Sequence, residues 1–331
     1  MNTPTPGKTV LSGMRPTGPL HLGNYVGALP NWLKLQDLYR CFYSIVTWHA
    51  LSSEYANSKA IKGYVFEVAV DWLSVGLDPE KCVMFLQSEV KEHAELHLIL
   101  SMVTPLPWLE RVPTFKEQLQ ELQEKELNTY GFFGYPVLQA ADIVIYKADF
   151  VPVGEDQAAH IELSREIVRR FNRIFGPIFP EPQTLLTEVP RLAGTDGRKM
   201  SKSYNNAIYL KDSAETIRRK IMPMITDTRR VRRTDPGEPN DCPVFTLHKA
   251  FVPVEKQEEI ARGCRTAAIG CRDCKSVVLE YLFKFLEPVW ERRRHLEERP
   301  DRIWDILEAG NIKARRVAQA TMAEVRAALG F

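Results

Sequence analysis

Two lysines with two residues between them, Lys199 and Lys202, sit in Gly194-Thr-Asp-Gly-Arg-Lys-Met-Ser-Lys-Ser203, a stretch with no apolar periodicity. Glycines let a backbone come close to a ligand, and lysines bring compact, mobile positive charge, so such a loop suits a phosphate chain. Taken alone it is equally a solvated basic loop. Three other places carry polar groups where chemistry could happen. The Gly/Pro-rich segment Gly13–Asn24 contains His21, able to donate a hydrogen bond or simply to cap a turn. Asp142 stands within the mostly apolar Tyr135–Tyr146, where a carboxylate needs a partner or a ligand donor. Gly154-Glu-Asp-Gln157 follows a short apolar run: Asp156 can cap the next helix with Glu162 and Arg165 as a surface ion pair, or Asp156 and Gln157 can bind sugar hydroxyls or an amine.

The elements around these groups alternate. Thr9–Ser12, Cys41–Val46, Val83–Leu86 and Phe150–Val153 read as short buried strands. Between them, Tyr25–Leu38 (with Pro30 kinking it or marking a late start), Ala60–Leu73 and Ala158–Phe175 show helical spacing, and Pro105–Lys125 is charged and reads as helix after a loop. Strand, glycine turn, helix and strand in this order predict a Rossmann-like, doubly wound parallel sheet, with ligands beyond the carboxyl ends of the strands. The segment Gly13–Asn24 falls there, without the G-x-G-x-x-G fingerprint, which disfavours a dinucleotide. After Asn206 the pattern turns helical (Ala214–Met222, Phe245–Phe251, Val254–Arg262, Ser276–Glu298, Asp301–Leu329). The expected division is a catalytic domain, 1–205, and an all-α domain, 206–331.

The composition is that of an ordinary globular protein: 331 residues, 44% hydrophobic, 26% charged, net charge +2. No apolar run reaches the roughly 20 residues of a membrane span. Residues Met1–Lys8 lack the apolar centre of a signal peptide. A cytoplasmic location is therefore expected, and the six cysteines are not read as disulfides. Cys41 and Cys82 fit buried thiols. Cys242, Cys264, Cys271 and Cys274, spaced C-x21-C-x6-C-x2-C, fit a metal site, a [4Fe–4S] cluster better than zinc, or four unligated thiols. Four arginines in Arg229–Arg233 suit either nucleic-acid phosphates or an ion-paired linker.

His21-Leu-Gly-Asn24 and Lys199-Met-Ser-Lys-Ser203 resemble the two signature sequences of class I aminoacyl-tRNA synthetases. Val151–Gln157, His160–Leu163, Ser12–Gly18, Trp48-His-Ala50 and Tyr135–Asp142 resemble the tryptophanyl members in particular. The resemblance implies activation of L-tryptophan by ATP with Mg²⁺, then transfer to tRNA(Trp), in a homodimer without membrane contact. It makes His21, Lys199 and Lys202 catalytic. Arg15, Gly23, Asn24, Gly154, Asp156, Met200 and Ser201 would join those lysines around ATP. His49, Tyr135, Gln139, Asp142 and Gln157 would hold tryptophan, with Asp142 accepting the indole N–H. The helical part would bind the anticodon and, as in the subgroup with an iron–sulfur cluster, carry the four cysteines. Three positions depart from the pattern: Gln118 leaves only Lys116 of a Lys-x-Lys pair, Thr47 replaces an acid, and Arg15 stands where others have Gln. Tyrosyl-tRNA synthetase is the nearest rival. A paralogue that binds RNA without aminoacylating and a small nucleotidylyltransferase are the others. The latter needs neither Lys199–Ser203 nor the helical part.

Overall fold

The computed structural model describes residues 7–111, 128–154, 157–186 and 191–331. Within them five strands, β1 (Thr9–Met14), β2 (Arg40–Ile45), β3 (Cys82–Leu86), β4 (Phe150–Val153) and β5 (Gln183–Leu186), form one parallel sheet in the order β3-β2-β1-β4-β5. From Cys41 to Ile45 every residue of β2 is buried, as expected for a strand covered on both faces. β1 and β4 are neighbours although far apart in sequence, so the connection reverses direction between them. That is the place where such sheets leave a crevice.

Helices α1 (Leu22–Leu35), α2 (Thr47–Glu54), α3 (Ile61–Val75), α4 (Glu92–Val103), α5 (Leu106–Glu110), α6 (Tyr130–Phe133), α7 (Tyr135–Val144) and α8 (Ala158–Phe175) accompany the sheet. α1 begins earlier than its apolar spacing suggests, and Pro30 lies inside it. The cause is a reciprocal cap: His21 accepts the Asn24 N–H through its side chain, and the Asn24 side chain accepts the His21 N–H. α3 stops at Gly76, whose φ of +112° is left-handed, a conformation glycine adopts without strain. α2, α4 and β5 were not legible as elements. Asp142 lies on a helix, α7.

The second half consists of α9 (Ala214–Ile221), α10 (Pro243–Phe251), α11 (Val254–Arg265), α12 (Cys271–Glu297) and α13 (Pro300–Leu329). These helices share the sheet's core rather than forming a core apart. One apolar cluster runs from Val10, Tyr43 and Trp72 to Leu279, Leu282 and Leu307, and the other joins Phe42, Phe85 and Ile143 to Ala314 and Ala318. α13 lies so close to β3 that a Cβ on Gly310 would fall 1.7 Å from the Met84 carbonyl oxygen. The expected boundary at 205/206 is therefore a change of secondary structure within a continuous interior.

Candidate active site

A cleft of about 460 Å³ opens at the carboxyl ends of β1, β2 and β4, between Gly13–Arg15, Ser44–Val46 and Val153–Gly154. It gathers many of the sequence-expected residues: Arg15, Asn24 and Gly154 of the nucleotide set, and all five of the amino-acid set, His49, Tyr135, Gln139, Asp142 and Gln157. Asp156 and Lys116 lie outside the described residues. The Glu162–Arg165 ion pair forms as expected, at 2.9 Å on the surface of α8.

At the floor of the cleft Asp142 is almost fully buried yet held as a carboxylate. Burial alone would raise its pKa. Hydrogen bonds from His49 and His93 and their proximity outweigh that and bring it below the usual carboxylate range. The His49 Nε2 is 3.0 Å from Oδ2, the His93 Nδ1 2.6 Å from Oδ1, and the Gln87 Nε2 donates at 2.8 Å to both oxygens. Gln87 in turn accepts the Trp48 N–H at 2.9 Å, which fixes the start of α2, and His93 is 2.7 Å from the Tyr146 hydroxyl. Gln87, His93 and Tyr146 were missed from sequence. Gln87 carried a usable signal, an amide side chain directly after the apolar run Val83–Leu86. Tyr135 is braced by the His160 Nε2 at 3.1 Å.

The two signature stretches meet beside this cleft. His21 sits at the start of α1 with Nδ1 accepting the Asn24 N–H, so in the neutral ring the proton rests on Nε2, which is then a donor. Burial, with Lys202 and Lys199 nearby, lowers its pKa to about 4, so it is neutral at pH 7. Both readings of His21, cap and donor, are thus compatible in one ring. Gly23 is required under it: a Cβ there would come within 2.9 Å of Nδ1. Across from it the Lys202 Nζ donates to the Gly18 carbonyl at 2.9 Å and lies 3.3 Å from the Thr17 hydroxyl, which itself lines the cleft. Burial lowers Lys202 to about 8, against the pull of Asp71 and Glu67. Lys199 is exposed, Ser201 is hydrogen-bonded to Ser203, and Met200 is buried in the apolar core, anchoring the loop there.

The loop is not loose. The Asn206 side chain donates to Asp196 at 2.7 Å and the Lys199 carbonyl at 3.1 Å, and accepts the Ser201 N–H at 2.8 Å. Gly194 leaves room for it; a Cβ there would sit 2.2 Å from the Asn206 Nδ2.

In the helical half Cys242 precedes α10, Cys264 lies in the last turn of α11, and Cys271 and Cys274 occupy the first turn of α12, so the expected cysteine loop is a meeting of helix ends. All four are free thiols. Burial pushes the Cys274 thiol up to about 12, and Cys242, Cys264 and Cys271 are close enough to add to the rise. The His248 Nε2 is 3.1 Å from the Cys274 Sγ. Among the described residues no group of three or more His, Cys, Asp or Glu side chains is disposed to hold a metal ion. Of the four arginines, Arg229 is paired with Asp227 and Asp241 and Arg230 holds the carbonyls of Arg233 and Ile269. Arg232 and Arg233 remain the more open pair.

A parallel sheet with these two signatures beside one cleft defines a class I aminoacyl-tRNA synthetase. Residues 5–287 match the family described as tRNA synthetases class I (W and Y), and the chain belongs to it. It is 52% identical to the tryptophan–tRNA ligase of Thermotoga maritima, with 97% of this chain and 99% of that one covered, and 46% identical to that of Aquifex aeolicus at the same coverage. The crystal structure of tryptophanyl-tRNA synthetase from Campylobacter jejuni complexed with ADP and tryptophan superposes with a TM-score of 0.87 at 35% identity, covering 98% of this chain and all of that one. A tyrosyl-tRNA synthetase from Archaeoglobus fulgidus, at 24% identity and a TM-score of 0.66, shares the fold. Among the described residues no helix is long and apolar enough to cross a membrane.

Proposed function

We infer that this chain activates L-tryptophan with ATP, giving tryptophanyl-adenylate and pyrophosphate, and passes the tryptophanyl group to tRNA(Trp). The observation that carries the reading is the buried, hydrogen-bonded Asp142 carboxylate at the floor of a cleft flanked by both signatures. An indole N–H donates to such an acceptor. A phenyl ring would leave it unmatched, a difference that discriminates strongly in a buried site.

The substrate carboxylate is already a nucleophile, so the first step needs alignment and charge neutralisation more than a base. Its oxygen attacks the α-phosphorus, and the bond to the pyrophosphate oxygen breaks. Asp142, with His49, Tyr135, Gln139 and Gln157, would hold tryptophan; Arg15, Asn24 and Gly154 would line the ATP end. The His21 Nε2–H would donate to a phosphate oxygen, and Gly23 would let the backbone approach. Lys202, leaving Gly18, and the exposed Lys199 would take up charge on the departing pyrophosphate. Bound with ATP, Mg²⁺ would supply further neutralisation of the phosphates. The test is transfer of labelled tryptophan to a tRNA bearing the tryptophan anticodon; no charging would sink the assignment.

The cysteine corner is proposed to hold a [4Fe–4S] cluster through Cys242, Cys264, Cys271 and Cys274. The uneven spacing of the four cysteines, and thiols near enough to affect one another, are what favour this reading. The cluster would tie the ends of α10, α11 and α12 together, stiffening the part proposed to meet the anticodon, with Arg232 and Arg233 open to phosphates. Iron and acid-labile sulfide in protein purified without oxygen are the expected result; zinc alone or no metal would reject it. A cytoplasmic homodimer completes the reading. Exposed Leu98, Met102 and Leu106 offer an apolar face for a second copy, and sedimentation at the monomer mass would contradict it.

A further inference from the structure

Beneath the first signature lies an ionic group that neither the sequence nor the proposed chemistry accounts for. Asp71, among the buried residues of α3, has no solvent exposure. Its Oδ2 accepts the Leu20 N–H at 2.7 Å, the amide immediately before His21, and its Oδ1 is paired with the Arg293 guanidinium from α12. Arg293, itself buried, reaches Glu67 at 2.5 Å and Glu297 at 2.8 Å, and Glu67 also holds Lys211 at 2.9 Å. A buried carboxylate on this scale persists only because each of its oxygens is matched.

The same turn is held from its other side. The Leu20 carbonyl accepts the Leu210 N–H at 2.9 Å, and the Leu22 N–H donates to the Ile208 carbonyl at 2.8 Å. The Leu210 carbonyl accepts the Trp290 indole N–H at 2.9 Å, again from α12. Two residues before Leu20, the Gly18 carbonyl is the resting place of the Lys202 ammonium. The second half of α12 therefore touches the turn that carries His21 by two routes, Arg293 through Asp71 and Trp290 through Leu210. The described hydrogen bonds around Asp142 come from His49, His93 and Gln87, and none comes from this group.

We propose that Arg293 is a positioning residue for amino-acid activation, acting through Asp71 to hold the Gly18–Asn24 turn, and with it His21 and Lys202, in register with the ATP phosphates. Arg293 touches no substrate. It fixes the orientation of the Asp71 carboxylate, which fixes the Leu20 amide, which sets where the His21 ring begins. It also balances the charge that Asp71 and Glu67 present to Lys202, leaving that lysine on a neutral carbonyl rather than drawn into an ion pair. A lysine in place of Arg293 keeps the charge but cannot hold Asp71, Glu67 and Glu297 with one planar fork.

The inference rests on the tryptophan-activating reading, and the test separates the two. Full-length wild type, Arg293→Lys, Asp71→Asn and the double variant are compared by ATP–pyrophosphate exchange, by equilibrium dialysis with labelled tryptophan and by thermal melting. An absent exchange in the wild type would remove the functional reading itself. With an active wild type, each single variant is expected to lower kcat for exchange roughly 10- to 100-fold, the effect of an ångström-scale misplacement far from the chemistry. The tryptophan Kd should stay within about twofold, because the Asp142 pocket has no bond to this group. The double variant should be no slower than the slower single one, since both break the same link. Unchanged kcat, a tryptophan Kd weakened in step with kcat, or multiplied losses in the double variant would each show a general staple of the fold and overturn the proposal. If Arg293→Lys does not fold, Trp290→Phe replaces it as a break in the parallel route, with the same expected split and the same refuting outcomes.

Discussion

Lys202 offers the sharpest perturbation, because its position makes two independent predictions. Burial lowers its pKa to about 8, only partly offset by Asp71 and Glu67. At pH 7 such a lysine is about 90% charged, and at pH 9 about 10%. In the free enzyme the charged form supplies the pyrophosphate contact. With tryptophan saturating, kcat/KM for ATP in the exchange assay should therefore fall about tenfold between pH 7 and 9. The kcat profile should fall later, since bound phosphate favours the ammonium. His21, lowered to about 4, contributes no loss between pH 5 and 7. Lys202→Met should lower kcat by about 10²–10³, the 3–4 kcal/mol typical of a lost transition-state charge contact, and should erase the alkaline limb. Lys202→Arg should keep the profile flat at high pH while retaining part of the rate. A wild-type profile level to pH 9, or a limb that survives in Lys202→Met, would refute the assignment of that charge to this residue.

Three further outcomes follow from the geometry. Asp142→Asn removes the charge from the indole acceptor and should raise KM for tryptophan about 10- to 100-fold, roughly 1.5–3 kcal/mol, in exchange kinetics; a change below twofold would contradict its role. Asn206→Ala loses its three side-chain bonds to Asp196, Lys199 and Ser201 and should slow exchange about tenfold while equilibrium dialysis shows an unchanged tryptophan Kd. Gly310→Ala drives a Cβ into the Met84 carbonyl and should cost about 1–3 kcal/mol of stability, seen as several degrees in Tm, with kcat per folded molecule unaltered.

The sheet was legible because β1 to β4 are short apolar runs closed by turns, and α8 because its buried residues Ile161, Ser164, Ile167, Val168 and Phe171 follow one face. β5 was hidden by its position at the sheet edge, where Gln183-Thr-Leu-Leu186 is only half-buried and shows neither a run nor an alternation. α2 and α4 carry Ser, His and Glu among their apolar residues: His49 and His93 serve the Asp142 nest, Ser52, Ser53 and Ser101 bond back to their own helices, and Glu95 pairs with Arg326. The active-site residues were legible where they stand in contiguous motifs. Gln87, His93, Asp71 and Arg293 were not, because each gains its meaning from a partner 49 to 222 residues away. The helical half read as a separate unit since its period changes after Asn206. Only the packing of α12 on α3 and of Gly310 on β3 shows that its interior continues that of the sheet.

The account turns on one measurement, the amino-acid dependence of ATP–pyrophosphate exchange by the full-length chain at pH 7 to 7.5. Exchange that saturates with L-tryptophan and stays near background with tyrosine or phenylalanine is the predicted result. Exchange supported equally by tyrosine, or by none of the three, would contradict it.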